Sequence, residues 1–164
     1  METAILTIST TLSRGEGEDV SGARLAALAR GAGADVVATE IVPDDAAAIE
    51  ERLRAHVAAG LAFVFTTGGT GLTPDDVTPE ATRAVIERDA PGFAEAMRAA
   101  GATHTPLGIL TRGVAGIAGR TLIINFPGSP KAIDQLFPVI APTLKHVVRT
   151  LSGDSSHLES DRAG

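Results

Sequence analysis

The sequence contains no cysteine, no tryptophan and no tyrosine, and its five phenylalanines are its only aromatic residues. Without thiols there are no disulfides, thiolate metal sites or cysteine nucleophiles. Proteins that stack bases on aromatic platforms need more rings than this. The 14 basic residues are outnumbered by 20 acidic ones, giving a net charge of −6. They are scattered, with no Lys/Arg cluster to form a nucleic-acid face. Nucleic acid is therefore not an expected partner. No apolar run approaches the roughly 20 residues that span a bilayer. The opening Met1-Glu2-Thr3 lacks the basic n-region and small-residue cleavage site of a secretory signal. A cytoplasmic protein with no membrane partner is expected. If it handles a phosphorylated ligand, so acidic a chain must use backbone N–H groups, a few placed cations or a divalent metal.

What the sequence does contain is an alternation of two hydrophobic periods over 164 residues, 44% of them apolar. Residues 4–9 (AILTIS) form a continuous β-branched run, as expected of a buried parallel strand. A polar loop follows over 10–18, then a helix over 21–32 with Leu25, Leu28 and Ala29 on one face. Residues 36–42 read as a second strand. Asp44 or Asp45 can cap a helix carrying Ile49, Leu53, His56 and Val57. Residues 61–66 read as a third strand, and Thr78-Pro79 as the N-cap and first turn of a helix reaching about residue 88. A further helix is predicted over 91–100, ended by Gly101. Residues 107–111 and 121–126 are predicted strands joined by a glycine-rich linker too short for a crossover helix, so an antiparallel pair is expected. Ser129-Pro130 opens a last helical region that Pro138 and Pro142 divide. The pattern predicts one α/β domain over 1–151, with a mainly parallel, mixed sheet. The polar segment 152–164 is expected to be a disordered tail. In such sheets ligands bind beyond the carboxyl ends of the strands. Those ends are the loops after Ser9, Val42, Thr66 and Phe126.

The longest chemical signal is TTGGTGLTPDDVTPEAT, residues 66–82. It leaves a buried strand, turns through Gly68, Gly69 and Gly71, and enters a helix. Glycines there let backbone N–H groups approach an anion without hindrance from a Cβ, and the Thr67 and Thr70 hydroxyls are further candidate donors. The pattern is neither a Walker A loop nor GxGxxG. Asp75 and Asp76 follow; their spacing suits helix N-terminal charges and magnesium ligands equally well. Asp44, after Pro43, reads on spacing alone as a capping residue. Gly128, Ser129 and Lys131 combine a turn, a hydroxyl and an ammonium at a helix N-terminus, which suits an anion as well as it suits a plain capped turn. Arg14 and Arg112 sit in glycine-bearing loops, where each reads as a solvated side chain or a screen for phosphate charge. The four histidines are dispersed without metal-ligand spacing, and no nucleophile triad is present.

These segments resemble the molybdopterin adenylyltransferase family of molybdenum cofactor biosynthesis. The resemblance rests on the 66–82 motif together with RDAPGFAEAMR at 88–98, FPGSPKA at 126–132, GEGEDVSG at 15–22 and VPDD at 42–45. It implies a three-layer α/β/α fold assembled as a homotrimer or hexamer. It also implies binding of molybdopterin and transfer of AMP from Mg-ATP to its terminal phosphate, with release of pyrophosphate. The family's two critical aspartates correspond to Asp44 and Asp76, which makes these the expected catalytic pair; because a phosphate dianion needs no general base, they are expected to organise magnesium rather than abstract a proton. One departure stands out: many relatives end the first strand Ser-Asp-Arg, where this chain has Ser9-Thr10-Thr11. Two other activities remain open at this point. One is non-catalytic binding or channelling of molybdopterin. The other is nucleotide hydrolysis of the competence-damage protein type, against which the PGSP segment argues.

Overall fold

The computed structural model describes residues 1–153. In chain order the elements are β1 (Glu2–Ile8), a short α1 (Thr10–Ser13), α2 (Val20–Gly31), β2 (Asp35–Val42), α3 (Ala46–Ala58) and β3 (Phe63–Thr67). Then come α4 (Thr78–Arg83), β4 (Arg88–Asp89), α5 (Pro91–His104), a 3-10 turn (Pro106–Leu110), β5 (Ala115–Ala118) and β6 (Thr121–Phe126). The described chain closes with α6 (Pro130–Ile140), a second 3-10 turn (Ala141–Thr143) and α7 (Leu144–Leu151). Residues 154–164, most of the tail expected to be disordered, lie outside the described residues.

The six strands form one sheet in the order β2-β1-β3-β6-β5-β4. β2, β1, β3 and β6 run parallel, and β5 pairs antiparallel with both β6 and β4. Because successive side chains point to opposite faces, each central strand feeds two cores. Ile5, Phe63, Phe65, Leu122, Ile124 and Phe126 pack with α2, α5 and α6 on one face. Ala4, Leu6, Ile8, Val64 and Ile123 pack with α3 and α4 on the other. This is the expected three-layer α/β/α arrangement. All five phenylalanines belong to the first core: Phe63, Phe65, Phe126 and Phe137 stack or meet edge-on at 5.4–6.0 Å between centroids, and Phe93 packs, partly buried, against that core. Each such burial contributes about 1.5–3 kcal/mol relative to exposure. The aromatics hold the layers together, and none is left as a stacking platform.

Several sequence expectations are corrected by tertiary packing. Residues 107–111 are not a strand. Pro106 removes a ladder donor, Thr105 Oγ1 accepts from the Leu107 N–H, and the segment winds as a 3-10 turn. The antiparallel partner of β6 is instead β5, inside the stretch taken for a linker. Its Gly116 is a packing requirement, since a Cβ there would stand 2.6 Å from Ile86 Cδ1. Gly101 does not end a helix but lies inside α5, where the Gly108 backbone crosses it so closely that a Cβ on Gly108 would come within 2.3 Å of Gly101 C. α4 stops at Arg83 rather than near residue 88, because the chain re-enters the sheet as β4. Pro138 lies within α6, so the division of the last helical region falls at Ala141–Thr143 alone.

At the far edge of the sheet, His56 on α3 is buried, with Nε2 3.4 Å from Glu40 Oε1 and no hydrogen-bond partner. Glu40 is bound by Arg52 through two hydrogen bonds of 2.6 Å. Burial lowers the His56 pKa, and the attraction of Glu40 does not restore it. The unfolded chain therefore takes up a proton near pH 6.5, ahead of the folded chain, so stability falls as the pH drops through that region. Denaturant titrations of His56→Leu should show a flatter profile over that interval.

Candidate functional site

The site lies where β1, β2, β3 and β6 all end, at the carboxyl edge of the sheet. β3 delivers the chain into the glycine turn at Gly68 and Gly69, whose φ values are +95° and +64°, a region that residues with a Cβ rarely adopt. Space excludes a side chain as firmly as conformation does. A Cβ on Gly68 would stand 2.4 Å from the Ile8 carbonyl oxygen, and one on Gly69 would stand 2.3 Å from Thr78 Oγ1. Thr78, expected to be an N-cap, is instead a buried brace: its hydroxyl donates to the Gly68 carbonyl at 2.9 Å and its amide to that of Gly69 at 3.1 Å.

The Gly128-Ser129 turn is fastened to this one. The Gly68 amide donates to the Phe126 carbonyl at 3.2 Å, and a Cβ on Gly128 would stand 3.4 Å from Gly68 Cα. Thr67 Oγ1 donates to the Pro127 carbonyl at 2.9 Å, and Ser21 Oγ at the start of α2 donates to that of Gly128 at 2.6 Å. Thr67 is fully buried, so its hydroxyl proton joins the two turns rather than facing solvent. Thr70 is also buried, with Oγ1 3.2 Å from Thr111 Oγ1. Ser129 caps α6, accepting from the Ala132 amide, which leaves its own hydroxyl proton free to donate. Ser129 and Lys131 stand on the rim of a cavity of about 350 Å³ whose other walls include His104, Gly108, Thr111 and Pro127.

The adjacent aspartates Asp44 and Asp45 separate cleanly. Asp45 is the cap of α3, accepting from the Ala48 amide at 2.8 Å. Asp44 turns inward. Its Oδ2 accepts from the amide and hydroxyl of Thr10 at 2.8 and 2.9 Å, and its Oδ1 lies 3.4 Å from where a Gly69 Cβ would be.

Asp75 is exposed, whereas Asp76 folds back under the glycine loop, its Oδ2 accepting from the Thr73 amide and hydroxyl at 2.9 and 2.7 Å. Burial opposes the charged form of Asp76. The Thr73 hydroxyl and amide, the Gly71 amide and Arg112 together outweigh that and hold its pKa below the ordinary value.

Arg112, read from sequence as a solvated side chain or a screen for phosphate, is the clamp of this loop. Its backbone amide donates to the Thr70 carbonyl at 2.8 Å, Nε to that of Gly71 at 2.7 Å and a terminal nitrogen to that of Asp76 at 2.5 Å; it also pairs with Glu80. No local pattern announces this role, because the partners of its side chain lie 32–41 residues away. Hydrogen bonding to Arg112 lowers the Glu80 pKa. Asp76 and Glu80 thus brace the loop above their unfolded pKa values, and the brace is lost as the pH falls through their lower folded values. In Arg112→Ala, amide exchange should accelerate across 70–77 while the amides of β3 and β6 keep their protection.

Known proteins share this architecture. A family model described as "Probable molybdopterin binding domain" matches residues 4–146. The chain belongs to this family. The chain superposes on the molybdopterin biosynthesis enzyme MoaB of Thermus thermophilus with a TM-score of 0.87. The two are 42% identical, over 93% of this chain and 96% of that one. A molybdopterin adenylyltransferase of Haemophilus influenzae is 46% identical over 98 residues, which is 59% of this chain and 50% of the relative. The molybdenum cofactor synthesis protein cinnamon of Drosophila melanogaster is 38% identical over 161 residues, 97% of this chain but 27% of the relative. The chain thus spans half or less of the length of these two curated relatives.

Proposed function

We propose that this chain binds molybdopterin and transfers AMP to its terminal phosphate from ATP, releasing pyrophosphate. The observation that carries this reading is the meeting of two glycine-bearing turns and one carboxylate at the carboxyl edge of the sheet. The amides of Gly69 and Thr70, which donate to none of the described residues, lie in the same turn as the point that Asp44 Oδ1 approaches, and the Ser129 turn fastened to it lines a cavity large enough for a bicyclic ring. Kinship to proteins named for molybdopterin biosynthesis and adenylyl transfer supports it.

The chemistry needs little from the side chains. A phosphate monoester is largely dianionic at neutral pH, with a second pKa near 6, so its oxygen attacks the α-phosphorus of ATP without a general base. The bond from that phosphorus to the bridging oxygen breaks, and the electron pair leaves with pyrophosphate. What remains is to hold two anions in line, which is the work of the fixed amides. Lys131 and the α6 N-terminus add positive potential at the cavity rim.

The donor set fits a magnesium ion carried mainly by phosphate oxygens and water. Asp44 has one oxygen uncommitted, the Asp76 carboxylate folds back under the glycine loop, and the described residues include no cluster of three or more metal-ligating side chains. Asp44 and Asp76 would hold the ion, which would offset charge on the transferred phosphoryl group.

We further propose a cytoplasmic homotrimer or hexamer. No helix among the described residues is long and apolar enough to cross a membrane, and exposed Leu72, Leu107, Ile109 and Leu110 supply apolar surface for contacts between copies.

The test is incubation of the purified protein with molybdopterin and Mg-ATP. Adenylylated molybdopterin and an equal amount of pyrophosphate are expected. Tight pterin binding without pyrophosphate would instead indicate a carrier. Hydrolysis of ATP that ignores the pterin would indicate a nucleotide hydrolase.

A further inference from the structure

β1 ends at Ile8, but its pairing with β2 does not stop there, since the Ser9 amide donates to the Val42 carbonyl at 2.9 Å. Ser9 then caps the single turn of α1, accepting from the Leu12 amide. These two constraints fix Thr10 opposite Asp44. The contact between them is reciprocal: the Thr10 hydroxyl donates to Asp44 Oδ2 at 2.9 Å and accepts from the Asp44 amide at 3.0 Å, while the Thr10 amide adds a bond to Oδ2 at 2.8 Å. Of the common side chains, a small hydroxyl is suited to both halves of this exchange, because it carries one donor and two acceptor lone pairs.

We propose that Thr10 is the positioning residue of the site: it saturates Asp44 Oδ2 and so presents Oδ1 alone to the crevice above Gly69. The inference rests on the adenylyl-transfer reading of that crevice. Oδ1 accepts no hydrogen bond from the described residues, whereas Oδ2 accepts two from Thr10. A carboxylate held in this way offers a metal one oxygen in one direction, which suits an ion with strict octahedral demands. The hydroxyl at this position also leaves Asp44 the only carboxylate in the contact. At position 10 the departure from Ser-Asp-Arg thus still holds Asp44 in place.

The test uses manganese as a paramagnetic stand-in for magnesium. Its binding is followed by electron paramagnetic resonance on the whole protein in the presence of α,β-methylene-ATP, for wild type, Thr10→Val, Thr10→Ser and Asp44→Asn. Loss of a charge-assisted hydrogen bond predicts manganese affinity about tenfold weaker in Thr10→Val. Affinity in Thr10→Ser should return to within about twofold of wild type, because the serine hydroxyl repeats both bonds. Pyrophosphate assays should show kcat falling in Thr10→Val with the KM for molybdopterin unchanged. Equal manganese affinity in wild type and Thr10→Val overturns the positioning role, and so does a Thr10→Ser variant as weak as Thr10→Val. If manganese binding follows the predicted order but the wild type releases no pyrophosphate, the adenylyl-transfer reading fails and the role of Thr10 stands.

Discussion

Asp44→Asn should slow pyrophosphate release by about a hundred- to a thousandfold, the range seen when a single electrostatic contact to a transition state is removed. The fold should survive. The Asn side-chain oxygen can still accept from the Thr10 amide and hydroxyl, so the contact between the ends of β1 and β2 is kept while the charge is lost. Asp45→Asn is the internal control. Asp45 caps α3, and Asn caps as well as Asp, so neither stability nor turnover should change appreciably. Steady-state assays on the two variants, with circular dichroism to confirm folding, separate a charge needed for chemistry from a neighbouring charge needed for a helix.

Gly68→Ala should cost about 3 kcal/mol or more of stability, because strain from positive φ and overpacking act together. The atom that the new methyl meets at 2.4 Å is the Ile8 carbonyl oxygen, a backbone group of β1 beside the buried heart of the sheet. It has no rotamer through which to escape. For a domain of this size such a loss lowers the melting temperature by roughly 10 °C, which scanning calorimetry will resolve. The same displacement would move the Gly68 amide from the Phe126 carbonyl and separate the two turns of the site. Gly15→Ala gives a useful contrast, since its φ is also positive but no atom lies within 4 Å of the added Cβ.

The alternation of apolar runs with helical periods sufficed to place β1, β2, β3, β6 and most of the helices, because each buries a face whose period is visible in its own residues. The errors fall where a distant contact decides the local structure. Residues 107–111 have a strand's composition, but Gly108 rides on Gly101 and the chain cannot extend there. The glycine in β5 looked like a linker signal and is in fact the space occupied by Ile86. In the site, the glycine turn, the Ser129 turn and Asp44 were visible because strand ends and turn residues are local features. The resemblance to a known family chose Asp44 over its capping neighbour, and the structure supplies a physical basis for that choice in the opposite orientations of the two side chains. Thr10 and Arg112 were visible only as a departure and as a solvated cation. Their partners lie 32–41 residues away, so no window of sequence contains the contact. Thr67 shows the converse: its place in the motif suggested a ligand donor, and the fold uses its hydroxyl to join two loops.

Everything proposed about chemistry depends on bare amides at the end of β3 receiving a substrate phosphate. The most direct measurement is a crystal structure of the protein with molybdopterin, magnesium and α,β-methylene-ATP. Phosphate oxygens within hydrogen-bond distance of the Gly69 and Thr70 amides, with Asp44 Oδ1 turned toward the metal, is the predicted result. Ligand phosphates seated elsewhere, with the glycine crevice closed by the protein's own side chains, would contradict it.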